Sequence, residues 1–345
     1  MPRTSPQASN AHLTGANAAR EDVNQPWEQD NQAWWDWYVS LGSEELDATS
    51  ATDHDIIDAA DGSQIDDLVR VVPASDDELI RELERPFSVS DAQIEFFQRE
   101  GFIKLPGVLS GPAVARLRAE MHRLFKAEFA ADPDCSISDR FLSIEMAWLE
   151  NPIIAWYVRS PRIAGLCAGL LGVDAVRLYH DNLLAKQPGC GRTPWHHDRH
   201  HFPIATDDIV TAWIPAQAIP LAMGPLTFAG PINAHRHVRD IPFDKFGTSY
   251  DQRVDQAFRA ADAVQIHSKS YEVGEVSFHH NLCFHSAGSN RTRFSRMALA
   301  NTYFADGARA VEQPTMVSGD WQKFMPGVAP GEVIDSHLNP ICGSR

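Results

Sequence analysis

The sequence contains no apolar run of 18 or more residues, which excludes a membrane-spanning helix. Its first residues, MPRTSPQASNAHLTG, have no apolar stretch of the kind a signal peptide needs. Cysteine is scarce. Cys135, Cys167, Cys190, Cys283 and Cys342 are odd in number, widely spaced and free of any C-x-x-C pair. That argues against a disulfide scaffold or a zinc ribbon, and for a reduced, cytoplasmic protein. Neither G-x-G-x-x-G nor G-x-x-x-x-G-K-[ST] occurs, so a nucleotide-binding α/β fold has no support. Basic residues are also few, 30 Lys and Arg against 46 Asp and Glu, for a net charge of −16. Residues 1–85 hold 19 of the acids and only five of the bases, so the remaining 260 residues are almost neutral. With no basic stripe anywhere, a nucleic-acid partner is excluded. A small molecule remains as the expected partner.

What the chain does contain divides it into three parts. Residues 1–25 are polar and low in bulky apolar side chains, a composition that predicts disorder. Residues 26–85 form an acidic extension that opens on PWEQDNQAWWDWYVSL, with four of the nine tryptophans. Trp34, Trp37 and Leu41 recur at helical spacing. Such a helix would pack on the main domain, cover an active site as a lid, or serve as the arm of a homodimer. The main domain is expected over 86–345. It begins with helical patterns: Ser90 and Gln93 form a capping box ahead of Asp91–Glu100, and a one-face apolar stripe follows Ser110. Another helical stretch covers roughly 145–171, broken at Ser160 and Pro161. From residue 173 the periodicity shortens to strands, over 176–187, 209–217, 224–230, 271–279 and 296–304. Helices followed by many short strands predict a mainly β fold, a sandwich or jelly roll with an N-terminal helical layer.

Ten of the fifteen histidines fall between residues 196 and 285. The densest run is PWHHDRHHF, 194–202, where His196 and Asp198 have H-x-D spacing. On a strand, residues two apart share a side, so both could grip one ion while His197 faces away. A third ligand must come from elsewhere, and His285, after the apolar run LCF, is the best candidate. Two histidines and a carboxylate make the facial triad of non-heme Fe(II) oxygenases, which leaves coordination positions open. Alone, H-x-D is a weak motif; the surrounding sequence decides.

That surrounding sequence resembles the phytanoyl-CoA dioxygenase family of Fe(II)/2-oxoglutarate-dependent oxygenases. The matching pieces, in family order, are SVSDAQIEFFQREGFIKLPGVLS (88–110), KQPGCGRTPWHHD (186–198), VTAWIPAQ (210–217), MGPLTFAGP (223–231), GEVSFHHNLCFHSAGSNRTRFSR (274–296) and GDWQKFMPGVAPGE (319–332). The resemblance implies a double-stranded β-helix, a cupin-like jelly roll that holds iron at one open end. It assigns the metal to His196, Asp198 and His285. Arg296 takes the far carboxylate of 2-oxoglutarate, a task suited to a planar guanidinium; Arg291 and Arg293 fit the family spacing less well.

Further carry-overs from the family are Trp213, lining the co-substrate site, and Lys186 and Asn182 on the preceding strand. The sequence departs from the family at His197, where a glutamine is usual, and at Ala287, where a polar residue is common. The nearest hydroxyl to the latter is Ser286, a candidate co-substrate contact. His200 and His201 are expected at the cavity mouth, and one of His279 and His280 inside it. Relatives that chlorinate carry Gly or Ala in place of the carboxylate, so Asp198 implies C–H hydroxylation, or desaturation or cyclisation by the same oxidant, with O2 consumed and succinate and CO2 released. No basic cluster suits the phosphate arm of a CoA, so the expected substrate is a small metabolite or natural-product scaffold. Two other readings compete. A jelly-roll binding protein would not need the intact triad and Arg296. A cupin hydrolase or isomerase would carry an H-x-H pair at 196–198.

Overall fold

The computed structural model describes residues 70–130, 141–241, 249–313 and 321–344. The expectations for residues 1–25, the tryptophan-bearing stretch 26–41 and Cys135 fall outside the described residues. Two antiparallel sheets face each other, the arrangement of a double-stranded β-helix. The major sheet joins β1 (Phe102–Leu105), β8 (Val276–His280), β5 (Ile209–Pro215), β10 (Arg296–Ala305), β3 (Ala175–Lys186) and β11 (Ile341–Ser344) in that order, and β2 (Phe141–Glu145) also pairs with β3. The minor sheet runs β4 (Thr193–His196), β9 (Phe284–Ala287), β6 (Leu226–Gly230) and β7 (Gln265–Ser268).

Helices cover the outer face of the major sheet. They are α1 (Asp76–Glu84), α2 (Asp91–Glu100), α3 (Gly111–Ala130), α4 (Pro152–Val158) and α5 (Pro161–Leu171). Their boundaries follow from local chemistry. The Ser90–Gln93 capping box starts α2 and Gly101, at φ +81°, ends it. Asn151 caps α4 and Ser160 caps α5, each followed by a proline in the first turn. The stretch expected to be helical from residue 145 therefore begins later: Glu145 closes β2, and regular helix starts only at Pro152. Helix α1 is a difference from the sequence reading, which placed these residues with the acidic extension. A Ser75–Glu78 capping box nucleates it, and Leu79 and Leu83 are buried against the helical layer, so packing reaches back ahead of Pro86.

Strand alternation separates two environments. On β5, Val210, Ala212 and Ile214 enter the helical core, while Thr211 and Trp213 line the interior cavity. On β10, Met297, Leu299 and Tyr303 face the helices, and Arg296, Ala300 and Thr302 face the cavity. Strand β3 needs a correction to keep both patterns. Val176 and Leu178 are core, yet so are Leu183 and Ala185, which have the opposite parity. The pairing to β10 slips between Thr302, opposite His180, and Tyr303, opposite Leu178. The extra residue, Tyr179, resets the alternation so that His180, Asn182 and Leu184 all point inward. Helix α6 (Ser249–Ala260) covers the outer face of the minor sheet, where Tyr250, Val254 and Phe258 meet Trp195 and Phe284.

One polar group is trapped on the helix side of β3. Asp181 is fully buried, and neither of its carboxylate oxygens has a hydrogen-bond partner. Burial raises its pKa to about 7, and the nearby N–H groups of Ala147 and Trp148 offset only part of that. The native protein therefore keeps a proton that the unfolded chain releases near pH 4, so the stability contributed by this group falls as pH rises from about 4 to about 7, opposite in sign to the contribution of the buried neutral histidines. Comparison with an Asp181→Asn variant isolates it: in thermal unfolding followed by circular dichroism, the Tm of the variant should rise relative to that of the parent across this range, with a gain of roughly 2–4 kcal/mol at pH 8.

Candidate active site

The two sheets enclose a cavity whose lining includes His196, Asp198, His285, Arg296, Trp213 and Asn182. Strands β4 and β9 pair so that His196 lies directly across from His285, their rings 4.3 Å apart. The sequence reading places His196 and Asp198 on one strand. In fact β4 ends at His196, and Asp198 begins a short 3₁₀ turn, Arg199–His201. The loop is fixed instead by the β8–β9 turn: the N–H groups of Asp198 and Arg199 both donate to the carbonyl of Asn281, at 2.9 and 3.0 Å. The carboxylate still arrives beside the two imidazoles, with Oδ1 at 3.6 Å from His196 Nε2 and 3.9 Å from His285 Nε2. One ligand atom from each of the three residues lies within 4.8 Å of the other two.

Protonation is set by the same surroundings. His196 Nδ1 is 2.8 Å from the carbonyl of Pro194, and His285 Nδ1 is 2.9 Å from that of Cys283. A carbonyl can only accept, so each Nδ1 carries the proton and each Nε2 presents a lone pair toward Asp198. Burial lowers the pKa of both imidazoles, His285 the more strongly. Burial alone would raise the Asp198 carboxyl, but the positive charge that His285 and His196 carry when protonated and the hydrogen bond from His279 outweigh it and hold it well below the usual range. Two neutral imidazoles and an ionised carboxylate are the donor states a divalent cation requires. The residues therefore fit such an ion.

His279 sits on the other side of this carboxylate, its Nε2 at 3.4 Å from Oδ2, its ring 4.5 Å from that of His285. So the two oxygens of Asp198 have different partners: Oδ1 faces the ligand pair and Oδ2 faces His279. Of the two candidates in HH 279–280, His279 is the one that lines the cavity; His280 packs toward Phe97 and accepts the Leu282 N–H. His197 faces away, against His235 and Phe284, as alternation predicts. His201 lines the cavity; the side chain of His200 lies outside the described ones.

Arg296 is buried, with its guanidinium carbon 5.3 Å from the centre of the Trp213 ring and one nitrogen donating to the carbonyl of Gly224 at 2.7 Å. Gly224 has φ +72°, and a Cβ there would lie 2.1 Å from the carbonyl oxygen of Gly288. Glycine is required at this point because two loops cross in backbone contact beneath the arginine.

Two expected co-substrate contacts go elsewhere. Lys186 does not line the cavity: its ammonium donates to the carbonyls of Gly191 and Gly288, at 2.9 and 3.1 Å, because a fully buried cation must collect acceptors where they are fixed. Lys186 thus braces the arginine's floor from behind. Ser286 lies between two inward residues, His285 and Ala287, and alternation turns it to the outer face of the minor sheet. Asn182 does line the cavity, with its side-chain oxygen accepting from the Ser143 hydroxyl at 2.8 Å. Sequence reasoning missed Tyr179, His180, Thr211, Thr302, Phe202 and Phe324 in the lining. A period-two count from Arg296, Trp213 and Asn182 finds Thr302, Thr211 and His180; the others carry no sequence signal.

A jelly roll with this donor set and a buried arginine in one cavity defines a class, the 2-oxoglutarate-dependent non-heme iron oxygenases. The chain belongs to the phytanoyl-CoA dioxygenase (PhyH) family, whose model matches residues 97–298. It is similar to the peroxisomal phytanoyl-CoA dioxygenase of Rattus norvegicus, 27% identical over 233 residues that make up 61% of this chain and 67% of the relative. The corresponding protein of Mus musculus is 26% identical over 253 residues, 67% of this chain and 72% of the relative. Among solved structures, the chain resembles the non-heme alpha ketoglutarate dependent carbocyclase SnoK from nogalamycin biosynthesis, with a TM-score of 0.59, 22% identity, and 74% of this chain and 99% of that one covered. It also resembles EctD from S. alaskensis in its apoform, at TM-score 0.56 and 20% identity over 74% and 91% of the two chains. At these identities the structural likeness is one of fold. No helix among the described residues is long and apolar enough to cross a membrane.

Proposed function

We propose that the protein hydroxylates an unactivated C–H bond of a small metabolite or natural-product scaffold, coupled to decarboxylation of 2-oxoglutarate to succinate and CO2. One observation carries the reading. His196 Nε2, His285 Nε2 and Asp198 Oδ1 face one point, in fixed tautomers, on the wall of the cavity that also holds the Arg296 guanidinium. In this reading His196, Asp198 and His285 hold Fe(II). Arg296 binds the far carboxylate of 2-oxoglutarate bidentately, Trp213 covers the guanidinium, and Asn182 lies between that end and the substrate end. Bound iron, 2-oxoglutarate and O2 together supply the oxidant. The chain's part is to orient the co-substrate, exclude water and place the target carbon. Asp198 keeps a coordination position that a halide would otherwise need, which favours oxygen insertion over halogenation. A cytoplasmic location is in keeping with the buried free thiols of Cys167, Cys190, Cys283 and Cys342.

The test is spectroscopic. Anaerobic addition of Fe(II) and 2-oxoglutarate should produce a weak visible charge-transfer band, which a chelator removes. Admitting O2 should then yield succinate. Absence of the band, with no succinate, removes the oxygenase reading for these residues. Mass spectrometry of the product separates hydroxylation, which adds one oxygen atom, from desaturation or cyclisation, which remove two hydrogens.

A further inference from the structure

The inner face of the major sheet carries one uninterrupted polar row. His279 on β8 pairs with Thr211 on β5, Thr211 with Thr302 on β10, and Thr302 with His180 on β3. All four side chains line the cavity. The row starts beside the Asp198 carboxylate and ends at His180, whose ring lies 4.9 Å from that of Phe324 and 6.3 Å from that of Phe202. Four polar residues in register across four strands, on a face that could have been apolar, leave hydrogen-bonding groups to be satisfied by whatever fills the cavity. The Thr211 and Thr302 hydroxyls are 3.1 Å apart, so one donates to the other and the acceptor's own proton points elsewhere. His180 Nδ1 lies 3.2 Å from the Asp181 carbonyl, which fixes that proton and leaves Nε2 as an acceptor. The row therefore offers both a donor and an acceptor.

Charge narrows the ligand. Among the described residues, the charged groups lining the cavity are Glu145, Asp198 and Arg296. Glu145 is neutralised by Lys323 at 2.7 Å. Under the function proposed above, on which this inference rests, Asp198 is used by the metal and Arg296 by 2-oxoglutarate. Among the described lining residues no charge is then left for the substrate, and Lys323, which lies over the Phe324 ring, is paired with Glu145. The apolar walls there are flat aromatic rings, Tyr179, Phe202 and Phe324, suited to a ring.

We propose that the row His279–Thr211–Thr302–His180 is the specificity element of this enzyme, and that its substrate is a neutral, ring-bearing molecule whose oxygen substituents hydrogen-bond to the row while the ring lies against Phe324 and Phe202. Three probes test this on the full chain loaded anaerobically with Fe(II) and 2-oxoglutarate. They are chroman-4-ol, chroman (the same ring system without the hydroxyl) and palmitoyl-CoA. Chroman-4-ol should perturb the charge-transfer band and accelerate succinate formation when O2 is admitted, and chroman should bind about tenfold more weakly. Thr302→Val and His180→Gln should each weaken chroman-4-ol about tenfold, one hydrogen bond's worth. The affinity for 2-oxoglutarate, titrated by the band itself, should not change. The proposal is overturned if palmitoyl-CoA perturbs the band and chroman-4-ol does not, if no probe perturbs it, or if both variants bind chroman-4-ol like the parent. If no band forms with Fe(II) and 2-oxoglutarate alone, the underlying oxygenase reading has failed, and this inference with it.

Discussion

An Asp198→Ala variant is expected to lose substrate oxidation altogether and at least about 100-fold in Fe(II) affinity. Loss of partners one shell further out already costs about 10–100-fold, and Asp198 supplies the charged donor of the proposed set. Its Oδ1 lies between two neutral imidazoles, so its removal leaves a divalent cation with no anionic ligand. The loss should be specific to the metal. His196 and His285 keep their backbone hydrogen bonds to Pro194 and Cys283, so the ligand strands have no reason to move. Anaerobic titration calorimetry with Fe(II) and thermal unfolding of the metal-free protein separate the two effects. The metal-free variant should still unfold in one cooperative transition, because the β4–β9 pairing that carries the two histidines does not depend on Asp198. Full activity in Asp198→Ala would take Asp198 out of the metal site.

The second large effect is expected at Arg296. Arg296→Leu should raise the 2-oxoglutarate concentration that half-saturates the charge-transfer band by about 10²–10³-fold, the cost of leaving a desolvated carboxylate without its partner. Fe(II) affinity in the absence of co-substrate should stay within about twofold. Arg296→Lys should recover only part of the loss, because an ammonium cannot match a carboxylate with two parallel hydrogen bonds. The guanidinium is held by the Gly224 carbonyl and the Trp213 ring, so its position is independent of the metal. A variant that lowered Fe(II) and 2-oxoglutarate binding equally would argue against separate roles.

Much of the fold and the site could be read without coordinates. The capping box at Ser90, the helix break at Ser160 and the strands over 209–215 and 296–305 follow from residue chemistry to within a few positions. The cluster His196, Asp198 and His285 and the cavity position of Arg296 followed from motif spacing and family resemblance. These are local signals, carried by short stretches of sequence or by a side-chain type suited to one chemical task.

Other features depended on which strands lie side by side. Asp198 is placed by Asn281, more than eighty positions away, rather than by strand alternation. Lys186 has the polarity of a ligand contact and its strand's inward parity, yet the carbonyls of Gly191 and Gly288 claim its ammonium. Ser286 stands next to a ligand histidine but on the other face. The polar row across β8, β5, β10 and β3 exists only through pairing register, and on β3 only because the bulge at Tyr179 shifts the alternation by one residue. The sequence alone determined which chemical groups this protein has and which local segments carry them. Tertiary structure decided which of them share a cavity, because hydrogen-bond registry between distant strands, together with the need of each buried polar group for a partner, sets the direction of every side chain.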